Sequence, residues 1–242
     1  MSIYSKLSSL LTAANNKTGE SDTTLTDAVQ TLIDGYGQGG GGDYTDKTWP
    51  TGQISSDTTE TWQYMFFNRT AITHVSLPQA GSIPASMFQN CTSLQSVYLP
   101  NATFVGYAAN QFNGCSSLEG IVLPKQTGVY NNAFANCTAM IYADIMATGF
   151  HQPNVFTGCT KLATVVLRHT SVPTLNNIND FNATPFASGG TGGTLYVPSS
   201  LKSAYQSATN WSTILGYANN SIQAIEGSYY ETHYADGTVI PT

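Results

Sequence analysis

Charge is what this chain has least of. Only 9% of its 242 residues are Asp, Glu, Lys or Arg, against the usual quarter of a globular protein. Eight Lys plus Arg stand against 14 Asp plus Glu, a net charge of −6, so the basic footprint of a nucleic-acid-binding surface is missing. No segment approaches the roughly 18–20 apolar residues that span a bilayer. The opening residues, Met1-Ser-Ile-Tyr-Ser-Lys-Leu-Ser-Ser-Leu-Leu, lack the charged start, long apolar stretch and cleavage site of a secretory signal. These absences lead us to expect synthesis in the cytoplasm without a dedicated export route, which argues against a secreted bacterial adhesin.

Signatures of catalysis are equally scarce. Neither Gly-x-Ser-x-Gly nor His-Glu-x-x-His occurs, and the run Gly39–Gly42 is no phosphate loop because Lys47-Thr48 follows several residues too late. The four histidines (His74, His151, His169 and His233) form no i, i+4 pair. Sugar hydrolysis usually needs two carboxyl groups across the scissile bond. Asp144 reads as an outward strand residue and Asp180 as part of a long loop, with nothing to bring them together. The sequence therefore reads as a non-enzyme, with no cofactor and no metal site expected. Asn-x-Ser/Thr triplets at Asn68, Asn90, Asn101 and Asn136 read as structural corners, where asparagine satisfies its own backbone.

What is present is a ruler made of cysteine. Cys91, Cys115, Cys137 and Cys159 lie 24, 22 and 22 residues apart. Each sits in one recurring phrase: Phe88-Gln-Asn-Cys91-Thr-Ser-Leu94, Phe112-Asn-Gly-Cys115-Ser-Ser-Leu118, Phe134-Ala-Asn-Cys137-Thr-Ala-Met140 and Phe156-Thr-Gly-Cys159-Thr-Lys-Leu162. Short alternating strands follow, with Val97 and Leu99, Ile121 and Leu123, Ala143 and Ile145, and Val165 and Leu167 facing inward. A degenerate copy precedes them at Phe66 with Arg69 in the cysteine slot, and another is expected at Phe186 with Gly189 in that slot. A period of this length means one unit stacked on copies of itself, with atypical units at the ends. The surplus around Asn176 to Ala183 is expected to protrude as a loop, and Gly189-Gly190-Thr191-Gly192-Gly193 to form a flexible corner. The cysteines are read as a column of buried thiols. A disulfide between neighbouring rungs also fits the strand spacing, whereas zinc wants four thiolates converging on a point.

The Phe-x-x-Cys-[Thr/Ser]-x-[Leu/Met]-x-x-[Val/Ile/Ala]-x-[Leu/Ile] runs resemble the BspA-like leucine-rich repeats of bacteria and their phages. That resemblance continues through Thr194-Leu-Tyr-Val-Pro198, Leu201, Tyr205, Asn210-Trp211-Ser212 and Ile222-Gln-Ala-Ile225. It implies a C-terminal cap: a strand, a helix carrying Leu201, Ala204 and Tyr205 inward, a Trp-anchored turn and a last strand. The family serves as adhesins, surface proteins and virion proteins. The expected fold is thus mainly β with short helices, a leucine-rich-repeat solenoid of about six rungs. Its expected parts are a helical anchor at 1–36, a glycine-rich linker leading into the repeats at 37–61, the solenoid at 62–198, the cap at 199–227 and an unassigned tail at 228–242.

Ahead of the repeats, Ile3, Leu7, Leu10 and Leu11 give one helical stripe and Leu25, Val29, Leu32 and Ile33 a second. Two helices this short cannot form a stable domain alone, so their stripes need copies of the chain or a host particle. The segment with Lys17-Thr-Gly-Glu and Leu25-Thr-Asp-Ala28-Val29-x-x-Leu32-Ile33-Asp-Gly35 resembles the start of many phage virion proteins. That resemblance implies an anchor, a linker and a displayed domain.

The expectation is a phage virion fibre or decoration subunit, bound to capsid or tail proteins by its N-terminal segment. It would be a homodimer or homotrimer, located on the virion, and would display the solenoid toward host-surface or mucosal glycans or proteins. A bacterial cell-surface interaction protein is the alternative. On the outward sheet positions (His74, Ser76, Ser96, Tyr98, Val122, Tyr142, Asp144, Thr164, Val166 and Tyr196), the candidate binding residues are Tyr98, Tyr142 and Tyr196 with His74. Aromatic faces stack on sugars and anchor protein contacts, although strand propensity alone also favours tyrosine there.

Overall fold

Each of the first five rungs turns on two residues whose backbone is left-handed. The computed structural model describes residues 52–56, 59–105 and 109–225. Two places before each repeat phenylalanine stand Tyr64, Ser86, Asn110, Asn132 and Asn154, all at positive φ. Two places after it stand Asn68, Asn90, Gly114, Asn136 and Gly158, again at positive φ. Asparagine and glycine tolerate that region best, because a left-handed backbone crowds Cβ against the carbonyl. The pair of corners wraps the chain around the phenylalanine and sends it into the next strand.

The strands stack in parallel. β1 (Gly52–Ser55), β2 (Ile72–Ser76) and β4 (Ser96–Tyr98) form one sheet. β6 (Gly120–Val129), β7 (Tyr142–Phe150), β8 (Thr164–Leu167), β10 (Thr194–Pro198) and β11 (Ser221–Ile225) follow in a second. The register repeats the sequence alignment: Ile121 faces Ala143, Ala143 faces Val165 and Val165 faces Leu195. Short strands β3 (Ser82–Ile83) and β5 (Thr103–Phe104) pair behind them, and β9 (Thr174–Leu175) pairs with the second half of β7. The architecture is therefore the mainly β solenoid with short helices that the repeat implied.

The core is a set of columns. Phe66, Phe88, Phe112, Phe134 and Phe156 stack with centroids 5.2, 4.9, 5.5 and 5.4 Å apart and planes within 13°. Beside them run the four free, buried cysteines. Backbone bonds lock rung to rung, as where the Phe112 N–H donates to the Ala133 carbonyl at 2.8 Å.

The sixth rung is not where the spacing placed it. Phe181, not Phe186, continues the phenylalanine column, 5.4 Å from Phe156. The Phe156 N–H donates to the Asp180 carbonyl and the Gly158 N–H to that of Asn182, the same bonds that link the earlier rungs. Thr184, rather than Gly189, fills the cysteine slot and gives its hydroxyl proton to the Phe181 carbonyl at 2.7 Å. Residues 176–183 accordingly do not protrude. They hold a 3-10 turn, Ile178–Phe181, capped by the Asn177 side chain, with Asp180 and Phe181 buried. The extra residues sit later, in a glycine corner that is tied down: the Gly192 N–H bonds the Pro185 carbonyl and the Gly193 N–H the Asn220 side chain.

Past β10 the chain forms a 3-10 turn at Ser199–Leu201, then α1 (Lys202–Ser207) and α2 (Trp211–Leu215). Tyr205 and Trp211 are buried, but Ala204, expected inward, is exposed. The inward stripe instead runs Leu201, Tyr205 and Ala208, at spacings of four and three. At the other end the sheet begins at β1, inside the stretch read as linker. The anchor residues Ile3, Leu7, Leu10, Leu11, Leu25, Val29, Leu32 and Ile33 lie outside the described residues, as does the tail from residue 228.

Candidate functional site: the outer face of the parallel sheet

Strand alternation sends two rows of side chains to the outer face. In the first, Gly120, Tyr142, Thr164, Thr194 and Ser221 lie side by side. In the second, Val122, Asp144, Val166, Tyr196 and Gln223 do so. On the β2–β4 side His74 faces Ser96, and Ser76 faces Tyr98.

At the centre is an ion pair. Arg168 Nε lies 2.9 and 3.0 Å from the two Asp144 oxygens, and its Nη2 lies 2.6 Å from Oδ2. Both side chains are largely covered, at 7% and 17% exposure. Burial pushes the Asp144 carboxyl up, and the hydrogen bonds and charge of Arg168 oppose it. Arg168 occupies the place just past the strand where Pro100, Pro124 and Pro198 stand in other rungs, so its side chain is free to reach back one rung over β7. Val166, two residues before it, points outward and yet is only 2% exposed.

Tyr142 lies flat. A Cβ on Gly120, its neighbour across β6, would collide with the Tyr142 ring, so the absence of a side chain there gives the phenol a floor of bare backbone. Burial first, then the carboxylates of Asp144 and Glu119, push that phenol above its ordinary value. Tyr98 is 39% exposed, and Tyr196 is half-buried. Tyr142 and Tyr196 stand two strands apart, roughly 10 Å at the usual strand spacing. The three tyrosines therefore form a spaced series rather than a cluster; Asp144 follows Tyr142 on β7, and Val166 lies between Asp144 and Tyr196. His74 sits at the β1–β2–β4 side, its Nδ1 2.9 Å from Thr73 Oγ1.

The two carboxylates weighed for acid–base work are in different surroundings: Asp144 is engaged by Arg168 on the outer face, and Asp180 is enclosed in the sixth turn. The cysteines are a line of donors. Each Sγ–H points at the carbonyl of the phenylalanine one rung back, at 2.9–3.1 Å, and burial pushes the Cys91 thiol up to about 12. Among the described residues no three His, Cys, Asp or Glu side chains gather as metal ligands. Within the same residues no helix is long and apolar enough to cross a membrane.

Arg168 and Gly120 escaped the sequence reading. The signal for both was positional: an arginine where sister rungs carry proline, and a glycine where they carry His74, Ser96, Tyr142 and Thr164.

A stack of parallel-strand rungs, four of them closed by a Phe-x-x-Cys turn, defines a repeat scaffold. The chain matches the family described as BspA type leucine-rich repeat region (6 copies) over residues 50–141 and 108–216, and it belongs to that family. Two solved structures are similar: a leucine-rich repeat protein from Bacteroides ovatus and the leucine-rich repeat protein of T. pallidum. The first is 17% identical, with a TM-score of 0.36, over 61% of this chain and 52% of that one. The second is 17% identical, with a TM-score of 0.35, over 74% of this chain and 83% of that one. The chain thus spans about half the length of the Bacteroides ovatus protein. No curated protein matches it.

Proposed function

We propose that this chain is a non-catalytic adhesion module of a phage particle, a fibre or decoration subunit. Its outer sheet face would engage host-surface or mucosal glycans or proteins. The observation that carries the reading is the outward series Tyr98, Tyr142 and Tyr196, with a covered Asp144–Arg168 pair beside it, on stacked parallel strands with few other charges. Flat aromatic faces beside hydroxyl and amide groups suit a sugar ring or a polar protein surface. The virion setting draws its support from the resemblance of residues 1–36 to phage virion proteins, with the segment serving as anchor and as the site of homo-oligomer contacts.

The test replaces all three tyrosines with serine in the full chain, after thermal melting has established that the variant folds. Loss of binding to host cells is expected, and unchanged binding would retire the face as the adhesive surface. Peptide mass spectrometry of purified particles tests the setting: the chain should copurify with capsid or tail proteins. Cleavage of a glycan library by the purified protein would overturn the non-catalytic reading.

A further inference from the structure

One carboxyl group in the interior has no role in the outer face. Asp180 stands immediately before Phe181, at the place where earlier rungs carry Met65, Met87, Gln111, Ala133 and Val155. It is wholly enclosed. Its Oδ1 accepts the Val155 N–H at 3.1 Å. In other rungs the equivalent N–H bonds within its own turn, as Met65 does to Trp62 and Ala133 to Tyr130. Oδ2 has no hydrogen-bond partner among the described residues.

The position of this group matters as much as its burial. Phe181 is where the repeat column ends and the cap begins, touching Phe156 at 5.4 Å, Phe186 at 5.3 Å and Trp211 at 6.0 Å. Trp211 Nε1–H is bonded to the Pro173 carbonyl at 2.8 Å, and the Asn210 amide to the Leu175 carbonyl at 2.7 Å. Two side-chain bonds and one aromatic seal thus hold the cap over the turn that contains Asp180.

We propose that Asp180 is a proton-operated latch between the repeat stack and the C-terminal cap, held as the neutral acid while the cap is docked. An ionised carboxylate with one oxygen unpartnered in an enclosed site costs several kcal/mol, and the chain escapes that cost by keeping the proton or by opening. No neighbouring charge relieves it. The turn contributes asparagines, isoleucine and phenylalanine, and α2 contributes no ionisable side chain. In the preceding rung the buried ionisable group is Cys159, whose thiol donates to the Phe134 carbonyl, while His151, Lys161 and His169 stand at positions that are not buried and Arg168 is paired with Asp144. On α1 the buried one is the Tyr205 phenol, which burial keeps neutral, and Lys202 at the start of that helix is not buried. Burial pushes the carboxyl up to about 7, against an ordinary 3.8, with the backbone N–H groups of Val155 and Asn154 opposing the shift.

The sign follows from linkage. The docked state holds the proton more tightly than the opened state, so opening is least favourable below about pH 4. It grows about tenfold per pH unit between about 4 and 7 and levels off above about 7.

The experiment is hydrogen exchange on the full chain from about pH 5 to 8.5, with each rate divided by the intrinsic rate of the free amide. In the wild type, amides of residues 177–182 and 211–215 should become roughly a hundredfold less protected between about pH 5 and 7 and then reach a plateau. In Asp180→Asn the corrected protection should be flat. A flat wild-type profile, or an equal rise in the variant, would overturn the latch. Should the variant not fold, the 13Cγ resonance of Asp180 in the wild type decides: a midpoint near neutrality supports the proposal, and one at the ordinary carboxyl value refutes it.

Discussion

The Sγ of Cys137 lies 3.1 Å from the carbonyl oxygen of Phe112, one rung back, and donates its proton to it. The same bond joins Cys91 to Phe66, Cys115 to Phe88 and Cys159 to Phe134. The cysteine is thus more than a small apolar filler at a corner. It supplies a weak donor to a carbonyl that also receives the backbone N–H of the cysteine in its own rung.

Reaction with alkylating agents requires the thiolate. Burial pushes the Cys91 thiol up to about 12 and lifts Cys115 and Cys137 well above the ordinary value. All four cysteines are also fully buried, so intact-mass measurement at about pH 8 should find no alkylated cysteine in the folded chain and four after denaturation. Two or none after denaturation without reductant would mean that the column had been oxidised.

Phe112 stacks at 4.9 Å on Phe88 and at 5.5 Å on Phe134, fully buried inside the column. Phe112→Ala removes both contacts and leaves a cavity, which costs about 3–5 kcal/mol. Urea unfolding should show the loss as a lower midpoint. Phe181→Ala should cost a comparable amount, because that buried ring touches Phe156, Phe186 and Trp211.

Arg168→Ala leaves the Asp144 carboxylate covered and unpaired, and should destabilise the fold by about 3–5 kcal/mol at neutral pH. Removing both partners should cost less than the two single changes combined. A double-mutant cycle in denaturant measures that difference directly. Additive losses would show that the pair carries no coupling.

The Tyr205 hydroxyl is buried with no hydrogen-bond partner among the described residues, although its ring packs edge-on against Trp211 at 5.4 Å. Tyr205→Phe keeps that packing and removes an unsatisfied donor, so it should raise stability by about 1 kcal/mol. Thermal unfolding would register a higher midpoint, and a fall would reveal a partner for the hydroxyl.

Gly120→Ala places a methyl group against the Tyr142 ring. The ring must lift off the sheet, so near-ultraviolet circular dichroism should change while the far-ultraviolet spectrum holds. Host-cell binding by this variant would report whether the flat pose of Tyr142 matters to adhesion.

Spacing made the inner columns readable because a stacked rung fixes every residue relative to its copy. Phe88, Phe112, Phe134 and Phe156 fell into register from sequence alone, as did the outward direction of Tyr98, Tyr142 and Tyr196. The reading failed where the period slipped. Between Phe156 and Phe181 lie 25 residues, the cysteine is a threonine, and Phe186 offered a false copy five residues on. Spacing also says nothing about long side chains that cross rungs, so the reach of Arg168 to Asp144 was invisible. The same holds for Asp180, whose enclosure comes from a turn and a helix that meet only in three dimensions.

Rungs bonded only to their neighbours have a mechanical consequence. Stretched between its ends, such a stack yields from an exposed end, one rung at a time, because among the described residues the strands pair with neighbours in the stack. Each rung that lets go frees the chain between successive phenylalanines, 22–25 residues, or about 75–85 Å of contour length. The protein would act under load as a ratcheted extension spring, lengthening in even increments while the rungs still closed keep hold.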